Sequence, residues 1–206
     1  MVTASIDEKK AFFDSIADKW DDWDDLQRLG KRLDDGLAQW AVAPNETVVD
    51  VGCGTGSLTL ALLRRLGPQG RVIAVDLSSR MVNAARRKTN DERVTWIVEA
   101  AEELSLAPCS AERIICFSVW PHFADPHAVL DQCWRVLKPR GSLHIWHLIS
   151  RERVNEIHAG ASPAVRSDVL VSAAQLAAML SSRGFDVYET VDALQRYIVS
   201  ARKAGE

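Results

Sequence analysis

Thr47-Val48-Val49-Asp50-Val51-Gly52-Cys53-Gly54-Thr55-Gly56 is the stretch on which the reading of this chain turns. Its first half is rich in β-branched residues, which suit a pleated strand. Its second half places a glycine at every other position, and a leucine-rich helical pattern, roughly Leu58–Leu66, follows at once. Glycines let the backbone turn tightly and let a ligand touch the main chain. The helix behind them aims its free N–H groups at the same spot, which suits a carboxylate or a phosphate. In an open α/β sheet, ligands bind beyond the carboxyl ends of the strands.

Working outward, strands and helices alternate. Further strands are predicted at Arg71–Val75, Val94–Val98, Arg113–Phe117 and Ser142–Ile149. Helices are predicted at Ser79–Lys88, near Ala101–Leu104, and at Pro126–Leu137, the last capped by Asp125 with Pro126 in its first position. A helix over Val171–Arg183, closed by Gly184, precedes two strands, Asp186–Thr190 and Gln195–Ala201, spaced as an antiparallel pair. Upstream, Ser5-Ile6-Asp7-Glu8 reads as a capping box opening a helix to about Trp20. A second helix carries Leu26, Leu29, Leu33, Leu37 and Trp40 on one face and ends at Pro44-Asn45. The fold class expected is α/β: a Rossmann-like, seven-stranded, doubly wound sheet, mostly parallel with an antiparallel terminal strand. Residues 1–44 form an N-terminal helical cap acting as a lid, and 45–206 form the sheet domain, within one structural domain overall.

Asp50 decides what the glycine loop holds. A dinucleotide loop reads G-x-G-x-x-G, and here the third glycine comes one residue early. A pyrophosphate would be repelled by the carboxylate of Asp50, whereas an ammonium group would be attracted to it. No Gly-Lys-Ser/Thr follows, so a P-loop is excluded. The ligand implied carries both a carboxylate and an amine. The second strand ends at Asp76, where an acid can accept hydrogen bonds from both hydroxyls of a ribose.

These motifs resemble those of class I S-adenosylmethionine (SAM)-dependent methyltransferases. Val49 to Gly56 resembles the first motif of that family, and Ala74-Val75-Asp76-Leu77-Ser78 with Met81 resembles the ribose motif. Ala101-Glu102-Glu103-Leu104 resembles the adenine-side segment, and Phe117-Ser118-Val119-Trp120-Pro121-His122-Phe123 the fourth-strand motif. Arg135 to Gly141 resembles the turn before strand five, and Phe12 to Trp20 is similar to the N-terminal helix of the ubiquinone/menaquinone C-methyltransferase group. The resemblance implies SAM as cofactor, held by Asp50, Gly52, Cys53, Gly54, Gly56, Asp76, Leu77, Met81, Ala101, Glu102, Phe117 and Ser118. The zwitterion is then the methionine end of SAM. Two positions depart from the family. Ala100 stands where an aspartate usually contacts adenine, leaving backbone amides near Ala101, or Glu102 indirectly, to hold the base. Arg113 stands where strand four usually starts with an aspartate, which reads as a surface change.

The acceptor side is less determined. Methyl transfer is an in-line displacement, and a general base is needed when the nucleophile carries a proton it will not lose unaided. His122, His147 and His158 are the catalytic candidates, with Trp20, Trp120, Arg151 and Asn155 lining the substrate pocket. Trp20 and Trp23 read equally as lid or as packing of the first helix, and His127 and His144 read as structural hydrogen-bonders. A metal held by His147, His158 and Glu152, or with His122, is a minor reading; the expectation is no metal.

The chain has 206 residues, 47% hydrophobic and 26% charged, with a net charge of −3. That balance suits a globular core and argues against nucleic acid or an anionic membrane as partner. Four cysteines, none in a CxxC pair, and no apolar signal core at Met1–Lys10 fit free thiols in the cytoplasm. The function expected is methyl transfer to a small molecule by a monomer or homodimer. The alternatives are a SAM-binding sensor or partner subunit, a metal-assisted methyltransferase, and a disfavoured nucleotide-dependent oxidoreductase.

Overall fold

In the computed structural model, which describes residues 4–205, the alternating pattern becomes one seven-stranded sheet. Met1–Thr3 and Glu206, the outer ends of the two expected segments, lie outside the described residues. The strands are β1 (Thr47–Val51), β2 (Arg71–Asp76), β3 (Val94–Val98), β4 (Ala111–Phe117), β5 (Leu137–His147), β6 (Phe185–Ala193) and β7 (Arg196–Lys203), in the spatial order β3-β2-β1-β4-β5-β7-β6. The four pairings from β3 to β5 are all parallel, and β7 runs antiparallel to both β5 and β6. The order reverses at β1, which has β2 on one side and β4 on the other. Such a switch point opens a crevice at the carboxyl ends of the strands.

Each face of the sheet has its own core, because successive strand residues point to opposite faces. One face buries Val49, Val51, Ile114, Ile145 and Tyr197 against α5 (Pro126–Val136) and α8 (Ala173–Ser182). The other buries Val48, Val72, Ile115, Trp146 and Ile198 against α3 (Ser57–Arg65), α4 (Ser79–Arg86) and α2 (Leu26–Gln39). Leu33 and Leu37 of α2 are fully buried in that second core. α2 therefore packs directly on that face of the sheet. Its Gly36 makes this fit possible, since a Cβ there would meet the Trp146 ring at 2.5 Å.

The first helix is shorter than expected. α1 covers Ile6–Ile16, and the chain continues as a 3-10 helix over Ala17–Trp23. The acids that accumulate at this end, Asp14, Asp18 and Asp21, oppose a helix C-terminus electrostatically. They find partners across the sheet domain instead. Ser78 Oγ donates to Asp14 at 2.6 Å, Arg80 pairs with Asp18, and Asp21 takes Thr55 Oγ1 at 2.6 Å and Lys88 at 2.6 Å.

β5 also differs. It starts at Leu137, inside the predicted turn, and stops at His147 because Ser150 caps α6 (Arg151–Ala159), accepting from Arg153 N at 3.2 Å. α7 (Pro163–Arg166) follows α6. Arg113 corrects the surface reading: it is 8% exposed, ion-paired with Glu46 at 2.8 Å, and 2.7 Å from His144 Nε2. Arginine only donates, so His144 Nε2 accepts and its Nδ1–H donates to Ser200. Burial first, and Arg113 second, hold the His144 pKa well below the usual histidine value. His144 is thus the structural hydrogen-bonder expected.

Candidate active site

A cavity of about 770 Å³ lies at the carboxyl ends of β1, β2 and β4, walled on the open side by α1, the 3-10 helix and the start of α2. Volumes of this order hold small molecules.

The glycines of the loop do three different jobs. Gly52 (φ +70) packs under Val119, whose side chain a Cβ would meet at 2.3 Å. Gly56 (φ +88) is the left-handed N-cap of α3 and touches Ala85. Gly54 (φ +52) faces the cavity, where the nearest atom to a Cβ would be Trp20 Nε1 at 4.0 Å. Only at Gly54 is the bare backbone open to a ligand.

Asp50 is fully buried at the wall of this cavity. Its Oδ2 accepts from Thr59 Oγ1 at 2.6 Å, and its Oδ1 has no partner. Burial, with a smaller push from Asp76, raises its pKa to about 7, and the Thr59 hydrogen bond only partly offsets this. A carboxylate so placed is waiting for a cation. Asp76 is raised to about 6, again chiefly by burial. Its oxygens accept from Gly54 N and Ser78 N, both at 2.8 Å, so the second acid clamps the loop as well as facing the cavity. Each oxygen keeps a second lone pair. Cys53 lines the same wall, with its thiol pKa pushed well up by burial and by the two aspartates. It is not a reactive thiolate.

Leu77, Met81, Ala101, Glu102, Phe117 and Ser118 all line the cavity, as does Trp20. Ser118 sits at φ +53, a strained value for a side-chain-bearing residue at the end of β4. Glu102 is committed elsewhere: its Oε1 accepts from Ala124 N and Asp125 N. Glu99 likewise holds Ser105. Ala100 and Ala101 lie between these two acids in the cavity wall.

The acceptor-side candidates separate. His122 lines the cavity. Its Nδ1 is 2.7 Å from Asp168 Oδ2, while Lys9 Nζ donates to Asp168 Oδ1 at 2.7 Å and to the His122 carbonyl at 2.9 Å. His147 and His158 lie behind it. His147 is buried, edge-on to Tyr197, with Nε2 unpartnered, and burial followed by the other two histidines lowers its pKa to about 3. His158 donates Nδ1–H to the Asp168 carbonyl at 2.7 Å. Asn155 spends both ends of its amide on Leu170, accepting from its N–H and donating to its carbonyl. Arg151 pairs with Asp192 and Glu152 on the outer surface. Trp120 is 3% exposed and packs edge-on against Phe123 in the core. None of these five side chains lines the cavity; α6 turns Asn155 and His158 toward Leu170 and Asp168, and it is Arg153 and Ile157 of α6 that face the cavity. Nor are His147, His158 and Glu152 gathered as ligands: among the described residues no three His, Cys, Asp or Glu are arranged for a metal.

Sequence reasoning missed Thr59, Phe13, Lys9 and Asp168. Thr59 had a signal, since it lies in the first turn of the helix after the loop. Asp168 had none, since only the tertiary fold carries it to His122.

The comparisons agree with this geometry. Residues 48–141 match the family described as "Methyltransferase domain". The chain is 30% identical over 151 residues to a malonyl-[acyl-carrier protein] O-methyltransferase of Priestia megaterium, covering 73% of this chain and 54% of that one. It is 34% identical over 140 residues to a ubiquinone biosynthesis O-methyltransferase of Xanthomonas campestris pv. campestris, covering 65% and 57%. The chain thus spans about half the length of these relatives. A SAM-dependent methyltransferase structure from Aquifex aeolicus superposes with a TM-score of 0.70 at 22% identity, over 88% of this chain and 100% of that one. With the sheet order, the acid–glycine-loop–acid site and these likenesses together, the chain is similar in sequence to methyltransferases and shares the fold of the SAM-dependent ones.

Proposed function

We propose that this protein transfers the methyl group of SAM to a small-molecule acceptor in the 770 Å³ cavity, releasing S-adenosylhomocysteine (SAH). The observation that carries the reading is the unpartnered, buried Oδ1 of Asp50 in the cavity wall, beside the one glycine whose backbone lies open. Asp50 would take the ammonium of the methionine end, and the loop amides near Gly54 its carboxylate. Asp76 would accept the ribose hydroxyls, with Leu77 and Met81 against the nucleoside and the Ala100–Ala101 backbone beside adenine. Phe117 and Ser118 would sit near the sulfur. SAM supplies an activated leaving group, so the chain's own work is to align the acceptor and exclude water. The walls from α1 and the 3-10 helix, Phe13, Trp20 and Trp23, suit that task.

The size of the cavity supports a small acceptor. No described helix is long and apolar enough to cross a membrane. Two measurements on the purified chain test the proposal: calorimetry with SAM and SAH, and SAH release across a panel of small nucleophiles. Binding of both and release with at least one acceptor is the expected result. Binding without any release would favour the sensor reading, and absence of binding would remove the proposal.

A further inference from the structure

We infer that His122, held by Asp168 and Lys9, is the general base of this site and that the acceptor atom is the oxygen of a weakly acidic hydroxyl, as on a phenol. The inference deepens the methyl-transfer reading and rests on it. Asp168 is 4% exposed and accepts from two donors, Lys9 on one oxygen and His122 on the other. Burial acts to raise its carboxyl, but the hydrogen bonds from His122 and Lys9 outweigh it and hold the group ionised. An ionised carboxylate only accepts, so His122 Nδ1 carries the proton and donates it. The Nε2 lone pair is then free, on a side chain that lines the cavity. Phe13 packs edge-on against the ring at 5.0 Å and His158 lies tilted at 4.7 Å, which fixes its orientation. Carboxylate, oriented imidazole and free nitrogen follow the logic of an acid-supported base.

The charges decide what the base serves. Those facing His122 are Asp168, Lys9 and the neighbouring imidazoles of His147 and His158. Burial foremost, and His158 and Lys9 besides, pull the His122 pKa below 6.5, against the pull of Asp168, so the imidazole is neutral at pH 7. An ammonium acceptor has no lone pair to attack with and would place a second cation beside the sulfonium of SAM. A thiol ionises readily enough to do without a base. A hydroxyl with a pKa near 10 enters neutral among aromatic walls and still needs its proton removed. In the transfer the acceptor O–H bond breaks and its proton goes to Nε2. The oxygen forms the bond to the methyl carbon, and the C–S pair leaves with sulfur. SAM cation, hydroxyl and neutral imidazole become SAH, methyl ether and imidazolium, and the imidazolium forms beside the Asp168 carboxylate.

The test compares the unsubstituted chain with His122→Gln, His122→Asn and the double variant Lys9→Met/Asp168→Asn, which removes the buried charges together. Substrates are matched panels of phenols, thiols and amines, read by SAH release, with SAH affinity measured in parallel. The expected result is turnover of phenols, with kcat reduced about 10²–10⁴-fold in both His122 variants and SAH affinity within about twofold of the unsubstituted chain. The double variant should lose kcat too, and the acid limb of its kcat profile should move to lower pH, because the upward pull of Asp168 on the His122 pKa exceeds the opposing push of Lys9. Undiminished kcat in the His122 variants overturns the inference. SAH release confined to thiols or amines overturns it as well and leaves methyl transfer standing, whereas absent SAH binding overturns both.

Discussion

Two regions of this molecule offered the same kind of clue in the sequence. The turn after β1 has Asp50 beside glycines, and the segment after β5 has His147, Arg151, Asn155 and His158. In the folded chain the first opens on the cavity and the second closes on itself. Asp50 keeps an oxygen without a partner, while Asn155 spends every polar atom it has on Leu170. The difference is one of satisfaction. Buried polar groups are nearly always paired, so a paired one is doing structural work and an unpaired one at a cavity wall marks a ligand. His147 Nε2 is also unpaired, but it faces no cavity.

The largest effect expected on either side of that contrast is at Asp50. Asp50→Asn should weaken SAH binding on the order of 100-fold, in line with the roughly 2–5 kcal/mol lost when one partner of a buried charge pair is truncated. It should also raise the melting temperature of the free protein. The sign follows from the pKa of about 7. The native carboxyl keeps its proton above pH 4, where the unfolded chain loses it. Free-protein stability from this group therefore falls as pH rises from about 4 to 7 and is flat above. Asp76, raised to about 6, adds a slope of the same sign. A bound ammonium reverses the Asp50 penalty, so the SAH-induced thermal shift should grow between pH 5 and pH 7.5, and Asp50→Asn should flatten it. A variant that bound SAH normally, or a shift larger at pH 5, would erase the contrast between the two regions.

How far each region was legible follows from how local its geometry is. The strands, the glycine loop and Asp76 depend on neighbours in sequence: β1 and β3 fall on the residues expected, and Gly184 closes α8 at φ +88. Backbone conformation at Gly52, Gly54 and Gly56 is written in residue type. What was not legible depends on where distant segments land. α6 rotates Asn155 toward Leu170 and away from β5, which nothing in Arg151–His158 encodes. Asp168 reaches His122 only because α7 folds back beneath α1, where Lys9 waits. Arg113 was misread for the same reason: its partners Glu46 and His144 sit on two other elements.

Asn155→Ala sharpens the contrast from the structural side. It strips a donor and an acceptor from the Leu170 backbone, and a buried backbone group left unpaired costs about 1–3 kcal/mol. Stability should fall by about that amount in denaturant titrations, with SAH affinity and the KM of the acceptor unchanged. A rise in acceptor KM without loss of stability would return Asn155 to the pocket.

The smallest effect at neutral pH is expected at His147. Phenylalanine keeps an aromatic ring against Tyr197 and removes both ring nitrogens, including the buried, unpartnered Nε2, so His147→Phe should stabilise by about 1 kcal/mol. Kinetic constants should not move. The pH dependence makes this small change decisive. Burial holds the His147 pKa at about 3, so below pH 6.5 the unfolded chain takes up a proton that the native chain refuses. Stability from this group is therefore lost as pH falls from about 6.5 toward 3. The advantage of phenylalanine should widen on acidification, by about 2 kcal/mol more at pH 5. A histidine that works in the reaction would instead cost turnover at every pH when replaced. Only a buried, idle one yields a variant that gains stability toward acid and keeps its rate.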